Sequence, residues 1–131
     1  MKTNALLAVL LVATIALSAG CEAPGSWKSK MVGTYKGFIH NGEDKHPSIT
    51  TFKLDGEKLS GKYVLNVMGN DIDGDLSEFT LTDDREVKCR WVDYASRAGD
   101  LFMTFSPDFS SFKGNWNDEG MEKGDPWTGK K

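Results

Sequence analysis

From Met31 onward, apolar and polar residues alternate with a period of two. Met31, Gly33, Tyr35, Gly37 and Ile39 share one face of the first run, and Phe52 and Leu54 share a face of the second. Leu59, Gly61, Tyr63, Leu65 and Val67 alternate with Lys58, Ser60, Lys62 and Asn66; Val64 breaks the alternation. Val87, Cys89 and Trp91 alternate with Lys88 and Arg90, and the pattern continues through Leu101, Met103 and Phe105, then Phe112, Gly114 and Trp116, and finally Trp127 and Gly129. This is the signature of half-buried antiparallel strands, because successive side chains on a strand point to opposite faces. No stretch after residue 21 holds a 3.6-residue apolar stripe long enough to predict a helix.

Turn residues divide the pattern. Asp55-Gly56 between two alternating runs is a strong hairpin signal, since glycine supplies the positive φ of a tight turn. Asn41-Gly42, Asp83-Asp84 and Pro107-Asp108 mark further turns. Eight strands follow, at about 31–40, 48–55, 58–67, 71–81, 86–93, 99–106, 109–117 and 126–130. The fourth changes phase between Leu76 and Phe79, which predicts a bulge or a break. Thr51-Phe52, Asp55, Leu59, Gly61, Tyr63 recurs 53 residues later as Thr104-Phe105, Asp108, Phe112, Gly114, Trp116, as if one hairpin design were used twice. Gly-x-aromatic also occurs at Gly33-Tyr35. A strand glycine beside an aromatic marks a bend that the ring covers, and such bends repeated around a sheet favour closure, which removes exposed strand edges. The predicted fold is all-β: an eight-stranded antiparallel meander closing into a small barrel, residues 31–131.

The first 20 residues have a different character. Ala5–Leu17 is an apolar run of 13 residues interrupted only by Thr14. A membrane-spanning helix needs about 20, whereas a signal-peptide core needs roughly 7–15 followed by small residues. Lys2 supplies the positive start and Ser18-Ala19-Gly20 the small residues. The run Leu17-Ser18-Ala19-Gly20-Cys21 resembles the lipobox of bacterial lipoproteins. That resemblance implies cleavage before Cys21 and acylation of its thiol, with residues 1–20 as signal peptide and 21–30 as lipidated tether. More than one acyl chain makes a stable anchor, at about 0.8 kcal/mol per buried CH₂. By the sorting rule of Gram-negative lipoproteins, Glu22 implies the outer membrane, with the domain facing the periplasm. Within the tether, Trp27 is placed either to plug an end of the barrel or to sit at the lipid interface.

A second resemblance lies in the strands. Gly33-Thr34-Tyr35 and the stretch from Asp55-Gly56 to Leu59-Ser60-Gly61-Lys62-Tyr63 look like the opening strands of avidin and lipocalin-type barrels, over about a third of the chain. The asparagine and serine that avidins place after the first motif have no counterpart in Lys36–Ile39. The resemblance therefore implies the barrel, and not biotin.

Removing residues 1–20 takes one lysine from the 16 basic residues and none of the 19 acidic ones, leaving a net charge of −4. No clustered basic face points to nucleic acid. With Cys21 acylated, Cys89 has no partner for a disulfide, and its place beside Val87 and Trp91 reads as a small core hydrophobe. No Gly-x-Ser-x-Gly, His-Glu-x-x-His, phosphate loop or Cys-x-x-Cys occurs, so neither an enzyme nor a cofactor is expected. Asp71, Asp73 and Asp75 fall on one strand face and are a candidate calcium site. The EF-hand register fails, however: Gly74 at loop position six puts Gly69 and Thr80 where the first and twelfth ligands belong. Asp118, Glu119, Glu122 and Asp125 read as a hydrated loop, and His40 and His46, flanking Glu43 and Asp44, as surface residues.

Two functions fit such a barrel. One is an interaction or structural module with a packed interior that meets a protein partner through loops or outer aromatics. For that role Phe38, Phe79, Phe102 and Phe109, which fit the inward pattern less clearly, are the candidates. The other is a binding module for a small apolar ligand lined by Tyr35, Tyr63, Trp91, Phe105 and Trp116. The number of large rings among the 14 aromatics favours a filled interior, and hence the first. An open cavity lined by those rings would favour the second.

Overall fold

The structure is a computed structural model and describes residues 26–121 and 124–131; the stretch read as a signal peptide, Cys21 and the start of the stretch read as a tether lie outside the described residues. A short helix, α1 (Ser26–Met31), precedes eight strands. They are β1 (Gly33–Asn41), β2 (Asp44–Asp55), β3 (Lys58–Val67), β4 (Asn70–Asp83), β5 (Glu86–Asp93), β6 (Ala98–Phe105), β7 (Ser111–Asp118) and β8 (Asp125–Lys130). Each pairs antiparallel with the next, and β8 returns to β1 through Lys36↔Lys130 to Ile39↔Trp127, which closes the barrel. The eight-stranded meander read from the sequence is thus the fold.

Local chemistry explains the path. β2 and β3 pair up to Asp55↔Lys58, leaving Gly56-Glu57 as the turn, with Gly56 at φ 65°. The phase change in β4 is a bulge: pairing with β5 slips between Ser77 and Thr80, and Glu78 takes φ 55°. The extra residue lets both Leu76 and Phe79 reach the interior. Glycines make room for rings. A Cβ at Gly129 would meet the Phe112 ring and Tyr35, and one at Gly61 would meet Phe52 and Leu76.

The two hairpins that share a sequence pattern do not share a register. Phe52 pairs with Gly61, but Phe105 pairs with Phe112, the counterpart of Leu59. The second hairpin ends two residues earlier because Ser106–Ser110 forms a wider turn. Asp108 Oδ1 organises it, accepting hydrogen bonds from Ser106 Oγ at 3.0 Å, Ser110 N at 3.0 Å and Ser110 Oγ at 2.7 Å.

The ends of the barrel differ. At the end carrying the β2–β3, β4–β5 and β6–β7 turns, Tyr35, Phe52, Phe105 and Phe112 are buried and meet edge-on or tilted. Tyr35 lies 5.6, 6.0 and 5.4 Å from the other three, and Phe109 stacks on Phe105 at 5.0 Å. The Tyr35 hydroxyl sits 2.9 Å from Met31 O and 3.0 Å from Phe109 O, joining helix, strand and turn. Helix α1 covers this end. It starts within the stretch read as tether, Met31 is fully buried, and Trp27 packs against the core. Of the two placements considered for Trp27, its packing is that of a plug. Lys28 Nζ donates to Glu57 O at 2.9 Å and ties the helix to the β2–β3 turn.

Candidate functional site

The opposite end carries the β1–β2, β3–β4 and β5–β6 turns and the β7–β8 loop, and it is open. A cavity of about 190 Å³ enters the barrel there. Its walls carry Tyr63, Trp91, Trp116 and Trp127, with Ile39, Leu65, Val67 and Ile72 between them. Trp127, 2 % exposed, forms its floor above the packed phenylalanines, and Tyr63 meets it edge-on at 4.9 Å. Trp91 and Trp116 meet at 5.5 Å and 87°. The indoles are fixed by hydrogen bonds: Trp91 Nε1 donates to Asn117 O at 3.0 Å, Trp116 Nε1 to His40 O at 2.8 Å and Trp127 Nε1 to Thr50 Oγ1 at 3.0 Å. Fixed rings make a preorganised apolar wall.

The polar lining comes from Asn41, His46, Asp93 and Arg97. Asp93 is buried at the end of β5, continuing the inward alternation of Val87, Cys89 and Trp91. Its Oδ1 accepts the N–H groups of Ala95 and Arg97, each at 2.9 Å, and Oδ2 accepts Arg97 Nε at 2.8 Å. Burial alone would raise the Asp93 pKa. The Arg97 hydrogen bonds and the Ala95 N–H outweigh it and hold the carboxyl below its ordinary value, while Asp93 in turn raises the Arg97 guanidinium. The carboxylate both shapes the turn, where Ser96 takes φ 65°, and aims the arginine. Burial raises the Tyr63 phenol, helped by the charge of Asp93 and opposed by that of Arg97.

Of the five ring residues expected to line a ligand site, the structure brings Tyr63, Trp91 and Trp116 together at the cavity. Tyr35 and Phe105 belong to the packed end instead. Asp71, Asp73 and Asp75 are exposed on the outside of β4. Asp71 Oδ1 accepts from Asn66 Nδ2 at 3.0 Å, and Asp75 Oδ1 lies 3.3 Å from Lys62 Nζ. Among the described residues no three His, Cys, Asp or Glu side chains gather to hold a metal ion. His46, read as a surface residue, is half-buried on the inward face of β2 and lines the cavity. Phe79 and Phe109 join the core, while Phe38 and Phe102 remain outside on β1 and β6, too far round the barrel to form one patch. Among the described residues, no helix is long and apolar enough to cross a membrane.

Asp93, Arg97, His46 and Trp127 were missed as site residues. The signal was available for three of them, since Asp93 extends an inward-facing run and His46 precedes Ser48, Thr50 and Phe52 at the same parity, as Trp127 precedes Gly129. No protein-family model, curated protein or solved structure gives a significant match to this chain.

Proposed function

We propose that this chain is a lipid-anchored barrel that binds a small molecule. The observation that carries the reading is the division of the interior. One end is filled by phenylalanines and plugged by α1, while the other holds a cavity walled by fixed indoles and a few polar groups, as small-ligand sites are. The cavity is smaller than the roughly 300–1,000 Å³ typical of drug-sized ligands, so the occupant is small. The sequence features at Cys21 support acylation. Helix α1 begins five residues after Cys21, a reach of at most about 18 Å, which would keep the plugged end toward the membrane and the mouth in the periplasm. Glu22 supports the outer membrane.

Native mass spectrometry of the membrane-purified protein tests the binding role, with a co-purifying small mass expected. Cys21→Ala tests the anchor, with the chain expected to leave the membrane fraction; unchanged fractionation would refute it. The interaction-module reading keeps one observation in its favour. Met68, Tyr94 and Met121, at 93 %, 72 % and 58 % exposed, stand on three of the loops around the mouth. A protein seated there would cover the cavity as well, and cross-linking at Met68 would detect it.

A further inference from the structure

Of the polar side chains at the cavity, Asn41 and His46 can donate or accept, Asp93 accepts, and Arg97 only donates. The three indole N–H groups are already spent on protein acceptors, so those rings offer faces and edges only. Asp93 accepts three hydrogen bonds, and its charge is offset by the guanidinium it holds. Arg97, by contrast, uses only Nε; its two Nη groups have no acceptor among the described residues. The Tyr63 ring end lies against Gly74 on the β4 wall, so its hydroxyl is turned to the sheet. A complementary ligand therefore brings acceptors to the Arg97 side and apolar surface to the floor. A guanidinium with both Nη groups free matches the planar fork of a carboxylate.

Volume narrows the apolar part. A dry cavity of about 150 Å³ accommodates benzene, and this one is about 190 Å³. One six-membered ring with a short substituent fills it. We propose that the cup binds a single-ring aromatic carboxylate, its ring against Trp91, Trp116 and Trp127 and its carboxylate on the Nη groups of Arg97. This rests on the small-molecule reading above and specifies its ligand class. Asp93 offsets the Arg97 charge and the more distant Asp118 also acts on it, so the ligand's carboxylate gains through direct hydrogen bonds from the two free Nη groups and not through net charge. The Arg97 side chain is 66 % exposed, so water competes for it and the contact contributes as an exposed ion pair does, modestly.

Calorimetric titration of the purified full-length chain with phenylacetate, phenylacetamide and 2-phenylethylamine tests this. Phenylacetate should bind about three- to tenfold more tightly than either of the others. Arg97→Gln should abolish the preference for phenylacetate over the amide, lowering phenylacetate affinity more than that of the amide, while near-UV circular dichroism checks that the indoles stay in place. The comparison of the three ligands on the unaltered protein does not depend on that variant folding. Equal or tighter binding of the amide or the amine would overturn the carboxylate assignment and leave the small-molecule reading standing. No binding of any of the three at millimolar concentration would overturn the ring-sized ligand itself, and a co-purified mass of another class would show that the broader reading survives it.

Discussion

Thr50→Val is the most direct probe of the cavity floor. Thr50 is fully buried, and Trp127 is 2 % exposed. The hydroxyl of Thr50 accepts the Trp127 indole N–H at 3.0 Å. Valine has the same shape and offers no acceptor, and water has no access to replace one. Leaving a buried donor without a partner costs about 1–3 kcal/mol, and the added methyl returns up to about 0.8 kcal/mol. A net loss of about 1–2 kcal/mol is expected. With an unfolding entropy of about 2.1 cal/mol/K per residue, a domain of this size should lose roughly 5–9 °C in Tm. Thermal melts followed by far-UV circular dichroism measure this. The decisive comparison is a double-mutant cycle with Trp127→Phe, in whose background Thr50→Val should cost nothing. An equal loss in both backgrounds, or a Tm within about 1 °C of the parent, would refute the reasoning.

Two further outcomes follow from single groups. Cys89 is 1 % exposed and burial raises its thiol far above the ordinary range, so it should resist a thiol reagent in the native state and react at once in denaturant; rapid native modification would contradict its burial. The Asp108 carboxyl is lowered to about 2 by the hydrogen bonds of Ser110 and Ser106. Because the folded value lies below an unfolded value of about 3.9, its contribution is present above pH 4 and lost as pH falls from about 4 to 2. Asp108→Asn should flatten the stability profile in that window when urea unfolding is measured as a function of pH.

The strands were legible because closure leaves a single inside face and each strand reports it by alternation. Even the β4 bulge was visible, since Leu76 and Phe79 cannot both point inward without an extra residue. Register was less legible. The repeated spacing in the two hairpins hid a two-residue difference, because Gly56-Glu57 closes a tight turn while Asp108 gathers donors into a wider one. Helix α1 was not legible, since six residues carry no periodicity and the helix forms by packing Met31 and Trp27 on the barrel. Whether the interior was full or hollow could not be read from parity either. Parity says which side chains enter; filling depends on how their volumes add within each layer. Phe52, Phe105 and Phe112 meet in one layer, whereas Asp93 and Arg97 turn toward each other at the mouth instead of filling it.

The separation of a plugged end from a hollow one has an evolutionary consequence. The phenylalanine end holds the fold without meeting a ligand, while Tyr63, Trp91 and Trp127 serve both core and cavity; substitutions on the exposed mouth loops, at Met68, Tyr94 and Met121, should be tolerated without endangering the scaffold. Proteins with recognition and robustness in different places can drift toward new ligands by small steps. The same property makes this barrel a natural starting point for selecting binders from randomised mouth positions.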